Sequence, residues 1–326
     1  MQHLGTAIQE VMARAEAMSK QSENSNSQTE HSADINCPDC NDTGFIIEKK
    51  EQTQPNGEVV LKDLGRQCHC VRKKALKNAF KNALIPDEFK NARFDNYEIN
   101  TDAQQTLFDA IKEYLKDFPN IIEDESERNS LGFIAAFGET RIRSLQGEAK
   151  YQAKEDHNNF GLGKTHLQMA AAKWILNRIR VRDDIEMNAE TNKRFNLDLN
   201  TKSKFDRGCQ VLCVSDITFM DDLTSAKMAG DGGETFKNLL HNAINVDVLI
   251  WDDLGKAKYS ESKEGLYYQI INERYLHKRP IIFSSNEDKG TLSEKIGYAA
   301  SSRLLGMCGD RLYAVEGEDY RLRRGA

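Results

Sequence analysis

Gly161-Leu162-Gly163-Lys164-Thr165-His166-Leu167 opens an apolar helical run that continues to Ile179. A Gly-Lys-Thr at a helix start is the second half of a phosphate-binding loop, G-x-x-x-x-G-K-[ST]. In that loop the Lys and Thr hold the β/γ-phosphates and Mg2+. The first glycine should stand five residues before Gly163, where this chain has Asn158. A suitable glycine ends an apolar run further back, Gly132-Phe133-Ile134-Ala135-Ala136-Phe137-Gly138. Between Gly138 and Gly161 lie 22 residues where the motif wants two, so about twenty are extra.

The rest of the chain supplies partners for such a loop. Val246-Asp247-Val248-Leu249-Ile250-Trp251-Asp252-Asp253 is a mostly apolar strand ending in two carboxylates. At the end of a buried strand beside the loop, Asp252 is placed to hold the Mg2+ shell and Asp253 to orient an attacking water. Asp253 is one methylene shorter than a Glu would be, which predicts slow hydrolysis suited to switching. Pro280-Ile281-Ile282-Phe283-Ser284-Ser285-Asn286 is a second apolar strand, and its terminal amide is placed to reach the γ-phosphate or the water. Ser302-Arg303-Leu304 lies in a helical run and Tyr320-Arg321-Leu322-Arg323-Arg324 is near the end of the chain. Arginines near a triphosphate stabilise its charge in phosphoryl transfer; their default alternative is solvated surface.

Apolar strand-like runs at 131–137, 209–215, 246–251 and 280–285 alternate with helical ones at 164–180, 216–228, 234–244, 262–277 and 291–305. That alternation predicts an α/β fold with a parallel sheet covered on both faces. Thr101 is expected to cap a helix running through Phe118. Residues 181–207 break the alternation with a polar segment read as a mobile surface insertion.

Upstream, Cys37-Pro-Asp-Cys40 and Cys68-His-Cys70 are two close pairs that can place four thiolates around a tetrahedral zinc, with Asp42-Thr43-Gly44 suiting a tight turn. His69 is an alternative ligand, and four unligated thiols are the plain alternative. A four-thiolate shell has no open position for substrate, so the site reads as structural. Cys209, Cys213 and Cys308 read as packing residues. Arg72-Lys73-Lys74, with Arg66, Lys77 and Lys81, is either a single-strand nucleic-acid contact or a solvated helix face. Residues 1–20 place Leu4, Ile8, Val11, Met12, Ala15 and Met18 on one helical stripe, and 21–36 form a polar linker.

Bulk composition excludes some classes. The 326 residues are 39% hydrophobic and 29% charged, with a net charge of −6 and seven cysteines. The charge argues against nonspecific coating of duplex DNA. No apolar run approaches the ~20 residues of a membrane span, and no signal-peptide core is evident, so no membrane association and a cytoplasmic location are expected. Cysteines in such a chain suggest metal or free thiols.

Taken in order, these features resemble the AAA+ replicative-helicase loaders of the DnaC/DnaI type, including phage versions. The resemblance rests on Cys37-Pro-Asp-Cys40-Asn-Asp-Thr-Gly44, Cys68-His-Cys70, Phe94-Asp95-Asn96-Tyr97, Gly161-Leu-Gly-Lys-Thr-His166 and Val214-Ser-Asp-Ile-Thr-Phe219. It rests also on Leu249-Ile-Trp-Asp-Asp-Leu-Gly-Lys256, Ser285-Asn286, Ser302-Arg303-Leu304 and Asp319-Tyr320-Arg321. It covers about residues 37–326 and implies a zinc-bearing module at 37–85 that grips the replicative DNA helicase. The remainder, 86–326, is then an AAA+ P-loop ATPase domain with insertions near 140–159 and 181–207.

The implied cofactors are ATP, Mg2+ and Zn2+, and the implied partners are the helicase, single-stranded DNA and further copies of the chain. By resemblance, Gly138, Gly161, Gly163, Lys164, Thr165 and His166 form the nucleotide loop, and Cys37, Cys40, Cys68 and Cys70 hold zinc. Thr165 and Asp252 then hold magnesium, Asp253 completes the acidic pair, and Asn286 is the sensor 1 residue. Arg303 resembles an arginine finger acting on a neighbouring subunit, and Arg321 resembles sensor 2. Transposition-helper ATPases share much of this core, and the cysteine module favours the loader. The departure is the insertion: removing 140–159 restores Gly138-Glu139-Phe160-Gly161-Leu162-Gly163-Lys164-Thr165. A phosphate loop works by curling consecutive N–H groups around an anion, so a twenty-residue bubble is expected to compromise ATP binding unless it loops cleanly outward. Absence of the segment from the mature protein is a third possibility. A nucleotide-independent zinc adaptor is the alternative to a slow ATP-driven loader.

Overall fold

The computed structural model describes residues 37–53, 59–158, 160–185 and 203–317. The expected helix at 1–20, the linker at 21–36, most of the 181–207 insertion and Arg321 lie outside the described residues. Contacts divide the chain into two compact units, Met1–Val71 and Arg72–Ala326.

In the first unit, β1 (Phe45–Thr53) pairs antiparallel with β2 (Val59–Gln67). The pairing puts Phe45, Ile47, Val59 and Leu61 on one face of the ribbon, and all four are exposed. On the other face Ile46 packs on Cys37, Cys40, Cys68 and Cys70, which with Val71 form the unit's described apolar cluster. Helix α1 (His69–Asn82) leaves this cluster. Its far end belongs to the larger unit: Ala83 is fully buried there and its carbonyl accepts from the Cys213 N–H at 2.8 Å.

The larger unit continues with α2 (Asp102–Glu123), β3 (Leu131–Ala135), α3 (Glu139–Ser144), α4 (Gly147–Asp156) and α5 (Lys164–Arg178). Next come β4 (Arg180–Ile185), β5 (Ser203–Gly208), β6 (Val211–Ser215), α6 (Asp216–Ala226), α7 (Glu234–Asn245) and β7 (Val248–Asp252). The last elements are α8 (Glu261–Leu276), β8 (Ile281–Ser284), α9 (Lys289–Ile296), α10 (Tyr298–Cys308) and β9 (Leu312–Val315).

Five strands form one all-parallel sheet in the order β6-β7-β8-β3-β9. Alternation along each strand divides the apolar residues between two cores. Leu131, Phe133, Val211, Cys213, Val248, Ile250 and Ile282 face one side with α2 and α5. Ile134, Leu212, Val214, Leu249, Trp251, Ile281 and Phe283 face the other with α6 to α10. This is a doubly wound α/β arrangement: the first strand of the sheet stands inside it, and the loops that follow β3, β7 and β8 meet at their carboxyl ends. Among the described residues no helix is long and apolar enough to cross a membrane.

One expectation is corrected and two are given detail. The single helix over 291–305 is two helices, because Gly297 at φ 89 joins α9 to α10 in a conformation that an L side chain resists. The polar segment at 181–207 is anchored at its base, where β4 and β5 pair antiparallel from Arg180↔Gly208 to Ile185↔Ser203. The insertion at 140–159, polar and without a clear period, contains all of α4 and most of α3. Thr101 does cap α2, its hydroxyl accepting from the Gln104 N–H.

Candidate nucleotide and metal sites

The loop after β3 and the ends of β7 and β8 bring the sequence-predicted residues together. Lys164, the first residue of α5, is buried and donates to Asn286 Oδ1 at 2.7 Å and to the Ser285 carbonyl at 3.4 Å. Asn286 in turn donates from Nδ2 to Asp253 Oδ1 at 3.0 Å. The Thr165 hydroxyl lies 3.0 Å from both oxygens of Asp252. Asp252 also accepts from the Ser284 hydroxyl at 2.6 Å and from the Gln168 amide at 2.8 Å. Burial pushes its carboxyl above the usual range; the Ser284 bond works against this, the Asp253 charge adds to it, and Thr165 and Lys164 oppose it. Ser284 and Gln168 are contacts that sequence spacing did not single out.

Asp253 adopts φ 55, a left-handed conformation uncommon for a residue with a Cβ and frequent at functional sites. There its side chain takes Lys256 Nζ at 3.0 Å in addition to Asn286. The Thr165 hydroxyl and Asp252 carboxylate supply hard oxygen donors, the set Mg2+ prefers, and their 3.0 Å approach leaves both able to share one ion. The residues therefore fit magnesium.

Gly161 at φ 64 and Gly163 at φ 81 bracket the buried Leu162. Such left-handed turns before a helix aim successive N–H groups inward, making a concave nest for an anion at the first turn of α5. Tyr97 braces this nest by donating from its hydroxyl to the Leu162 carbonyl at 2.7 Å. A Cβ at Gly163 would stand 2.5 Å from the Tyr97 ring, so the position requires glycine. His166 Nε2 is bonded to the Arg93 carbonyl at 2.9 Å, and its ring is 5.6 Å from that of Tyr97. A cavity of about 260 Å3 adjoins them, lined by Phe89, Asn96, Tyr97, Gln104, Gly163 and His166 among others. A larger cavity of about 1180 Å3 runs beside the edge strand β6 and reaches the site only at Asp252.

The insertion leaves the loop at Gly138 and returns at Asn158. Its neck is closed by Phe137 stacked on His157, with ring centroids 4.8 Å apart. Its start is held by the segment that carries Asn286: the Gly138 N–H donates to Asp288 Oδ2, the Glu139 N–H to the Asn286 carbonyl and the Thr140 N–H to Glu287 Oε2. Asp288 also pairs with Arg141 at 2.8 Å. Burial opposes ionisation of Asp288, but N–H donors from Thr291, Gly138 and Gly290, with the Arg141 charge, hold its carboxyl below the usual range. Gly138 thus bonds protein carboxylate, while Gly161 and Gly163 form the nest. Arg303 lies with its guanidinium 5.1 Å from the Tyr268 ring and 6.0 Å from that of Tyr275, both on α8. Its described contacts are with that helix and Ala299 rather than with the Lys164–Asp252–Asn286 cluster.

In the first unit the four predicted thiols converge. Cys37 and Cys68 sulfurs are 3.7 Å apart, Cys40 and Cys70 sulfurs 3.3 Å. A tetrahedral zinc with Zn–S of ~2.3 Å needs sulfurs ~3.8 Å apart, so the set fits that ion. His69 is exposed and faces Asp39 at 3.4 Å; with Cys37 these two form an overlapping potential ligand group. Cys209, Cys213 and Cys308 are buried, and burial pushes their thiols up.

No family model matches the chain. Among curated proteins it is similar to the replicative helicase loader DnaC of Buchnera aphidicola from Acyrthosiphon pisum, 22% identical over 266 residues, covering 81% of this chain and 80% of that one. It is similar also to the phage-like element PBSX protein XkdC of Bacillus subtilis, 24% identical over 262 residues, 78% of this chain and 76% of that one. Solved structures that align with it include the DnaC helicase loader, at 18% identity and TM-score 0.44 over 68% of this chain and 96% of that one. DnaI aligns at 19% identity and TM-score 0.42 over 72% and 94%. The motif order read from the sequence and the match to curated loaders over two thirds to four fifths of the chain agree: this chain is similar to the AAA+ helicase loaders of the DnaC/DnaI type.

Proposed function

We propose that the chain is an ATP-controlled loader that engages a replicative DNA helicase and helps place it on single-stranded DNA during replication. The observation that carries this reading is the bonded series Lys164–Asn286–Asp253 beside Thr165–Asp252. It links the phosphate-binding helix, the acidic pair and the sensor amide in one cluster. The anion nest of Gly161–Lys164 follows the insertion in the chain, and this supports nucleotide binding with the insertion in place.

In this reading the α5 first turn and Lys164 would bind the β- and γ-phosphates, and the base would occupy the cavity lined by Tyr97, Gln104 and His166. Thr165 and Asp252 would hold Mg2+, which would supply charge neutralisation for the phosphates. Asp253 orients a water for slow hydrolysis, and Asn286 turns its Nδ2 donor from Asp253 to the terminal phosphate, so that the Asn286–Asp253 bond reports nucleotide state. Arg303 acts on a neighbouring copy and Arg321 on the chain's own nucleotide. The four-cysteine module holds zinc, and the exposed face of Phe45, Ile47, Val59 and Leu61 is the surface assigned to the helicase. The helicase partner rests on the name of the curated relatives, replicative helicase loader.

Calorimetry with Mg-ATP on the full chain, on Lys164→Ala and on a chain lacking 140–159 tests the reading, together with co-elution with a bacterial replicative helicase. Binding by the first and third, loss in the second, and a helicase complex are expected. Helicase binding without any ATP binding would replace it with a nucleotide-independent zinc adaptor.

A further inference from the structure

We propose that Arg143, carried by the inserted helix α3, is the cation with which this site distinguishes a nucleoside triphosphate from a diphosphate. The inference rests on the ATP reading above and adds a role for the segment that interrupts the loop.

The insertion does not hang loosely from the sheet. Residues 286–288 grip the first turn of α3 through the Gly138, Glu139 and Thr140 N–H groups, and the Thr140 hydroxyl adds a 2.5 Å bond to Glu287 Oε1. Ile142 is buried beneath the helix, and Arg141 lies over the Phe137 ring at 5.9 Å. The residues that hold α3 therefore belong to the turn that carries Asn286. One consequence is a small cavity of about 50 Å3 whose walls come from both parties: Glu139, Thr140 and Arg143 from α3, Asp253 and Lys256 from the loop after β7, Asn286 and Glu287 from the turn after β8, and Lys295 from α9. A water needs only about 10–15 Å3 of such space.

The direction of a bound polyphosphate follows from the donors. With the β-phosphate at the α5 N-terminus and the metal between Thr165 and Asp252, the terminal phosphate lies toward Asp253 and Asn286, where that cavity opens. A diphosphate ends short of it. Of the three cations lining the cavity, Lys256 is held by Asp253 at 3.0 Å, and Lys295 reaches it from α9 as an ammonium, which cannot face a phosphate in the bidentate way of a guanidinium. Arg143 pairs with Glu139, one turn back on its own helix, and its side chain is 71% exposed. Such an exposed i,i+4 pair is weak and exchanges readily, whereas a guanidinium facing a phosphate makes bidentate charge-assisted bonds. Arg143 also screens the Glu139 carboxylate, which would otherwise repel an arriving phosphate. Its loss should act on the triphosphate alone.

Calorimetric titration of the full chain with Mg-ATP and with Mg-ADP, repeated for Arg143→Ala and Arg143→Lys, tests this. The expected result is a roughly tenfold or greater weakening of ATP by Arg143→Ala, ADP affinity within about twofold of wild type, and an intermediate ATP affinity for Arg143→Lys. Unchanged melting temperatures would keep the comparison free of folding effects. A wild-type ATP-to-ADP ratio in Arg143→Ala, with Lys164→Ala losing both nucleotides, would overturn the proposal and leave the ATP reading standing. Equal weakening of both nucleotides would overturn it as well. A wild-type chain that binds neither nucleotide would sink both.

Discussion

The hydroxyl of Thr165 lies 3.0 Å from each carboxylate oxygen of Asp252, joining the first turn of α5 to the carboxyl end of β7. Asp252 is also a carboxylate whose ionisation burial resists. Asp252→Asn should therefore leave the melting temperature of the nucleotide-free protein unchanged or raised, since it removes a buried charge. On the proposed function it should erase the Mg2+ dependence of ATP binding and lower hydrolysis on the order of 10²–10³-fold. Melting curves and titrations with and without Mg2+ check the two halves separately.

Among the described residues of the first unit, Ile46 and Val71 are the partly buried apolar side chains that pack on the thiol cluster. A unit this small depends on a crosslink or a metal. The purified chain should carry one zinc. Chelation, or Cys37→Ser, should melt residues 37–67 while the sheet of the larger unit persists. Zinc release on thiol modification, followed by circular dichroism and limited proteolysis, reads this directly. Loss of the whole fold at the same point would contradict it.

Asp216 sits buried at the start of α6. It accepts from Trp251 Nε1 at 2.9 Å, from the Tyr267 hydroxyl at 2.8 Å and from the Ala257 N–H at 2.8 Å. Burial raises its carboxyl from 3.8 to about 6 despite those donors. Between those two pH values the folded chain holds more protons than the unfolded one, so stability falls as pH rises through the window. The contribution is full below pH 3.8 and lost above about 6, with a span on the order of 2–3 kcal/mol. Urea unfolding of wild type minus Asp216→Asn should show that decline across pH 4–6 and a flat difference above 7; a flat difference throughout would refute it.

Arg274 is fully buried in α8 and donates to the carbonyls of Ala243, Ile244, Val246, Asp247 and Pro280. It ties the end of α7 to the starts of β7 and β8, and desolvation lowers its pKa to about 9. Arg274→Met would orphan these acceptors and should cost about 3–5 kcal/mol. Denaturant unfolding measures the loss, and a change below ~1 kcal/mol would show that water replaces the guanidinium.

Much of the sheet was legible because its strands are continuous apolar runs: Val248 to Trp251 and Ile281 to Phe283 are buried on both faces. The acidic pair and the amide follow such runs, so the order of motifs alone brought Asp252, Asp253 and Asn286 to one edge. Contacts across distant chain segments were not legible. No periodicity announces that Tyr97 braces Leu162 or that Gln168 and Ser284 hold Asp252. The four-residue β9 is too short to stand out, and its burial is uneven. The helix break at Gly297 was readable in principle, since glycine there separates two runs, but a continuous apolar stripe masked it. The insertion was legible as a length anomaly and opaque as a structure, because α4 has no buried residue to give it a period.

The stack of Phe137 on His157 fixes how far apart the two ends of the insertion stand. Whatever chain connects them is attached through a neck of constant width. A loop so gated can lengthen at small cost, since closure entropy grows only with the logarithm of its length. The exposed turn at Leu145–Gly147 between α3 and α4 is thus a natural splice point. A small fluorescent or affinity peptide placed there would sit one helix away from the proposed nucleotide site.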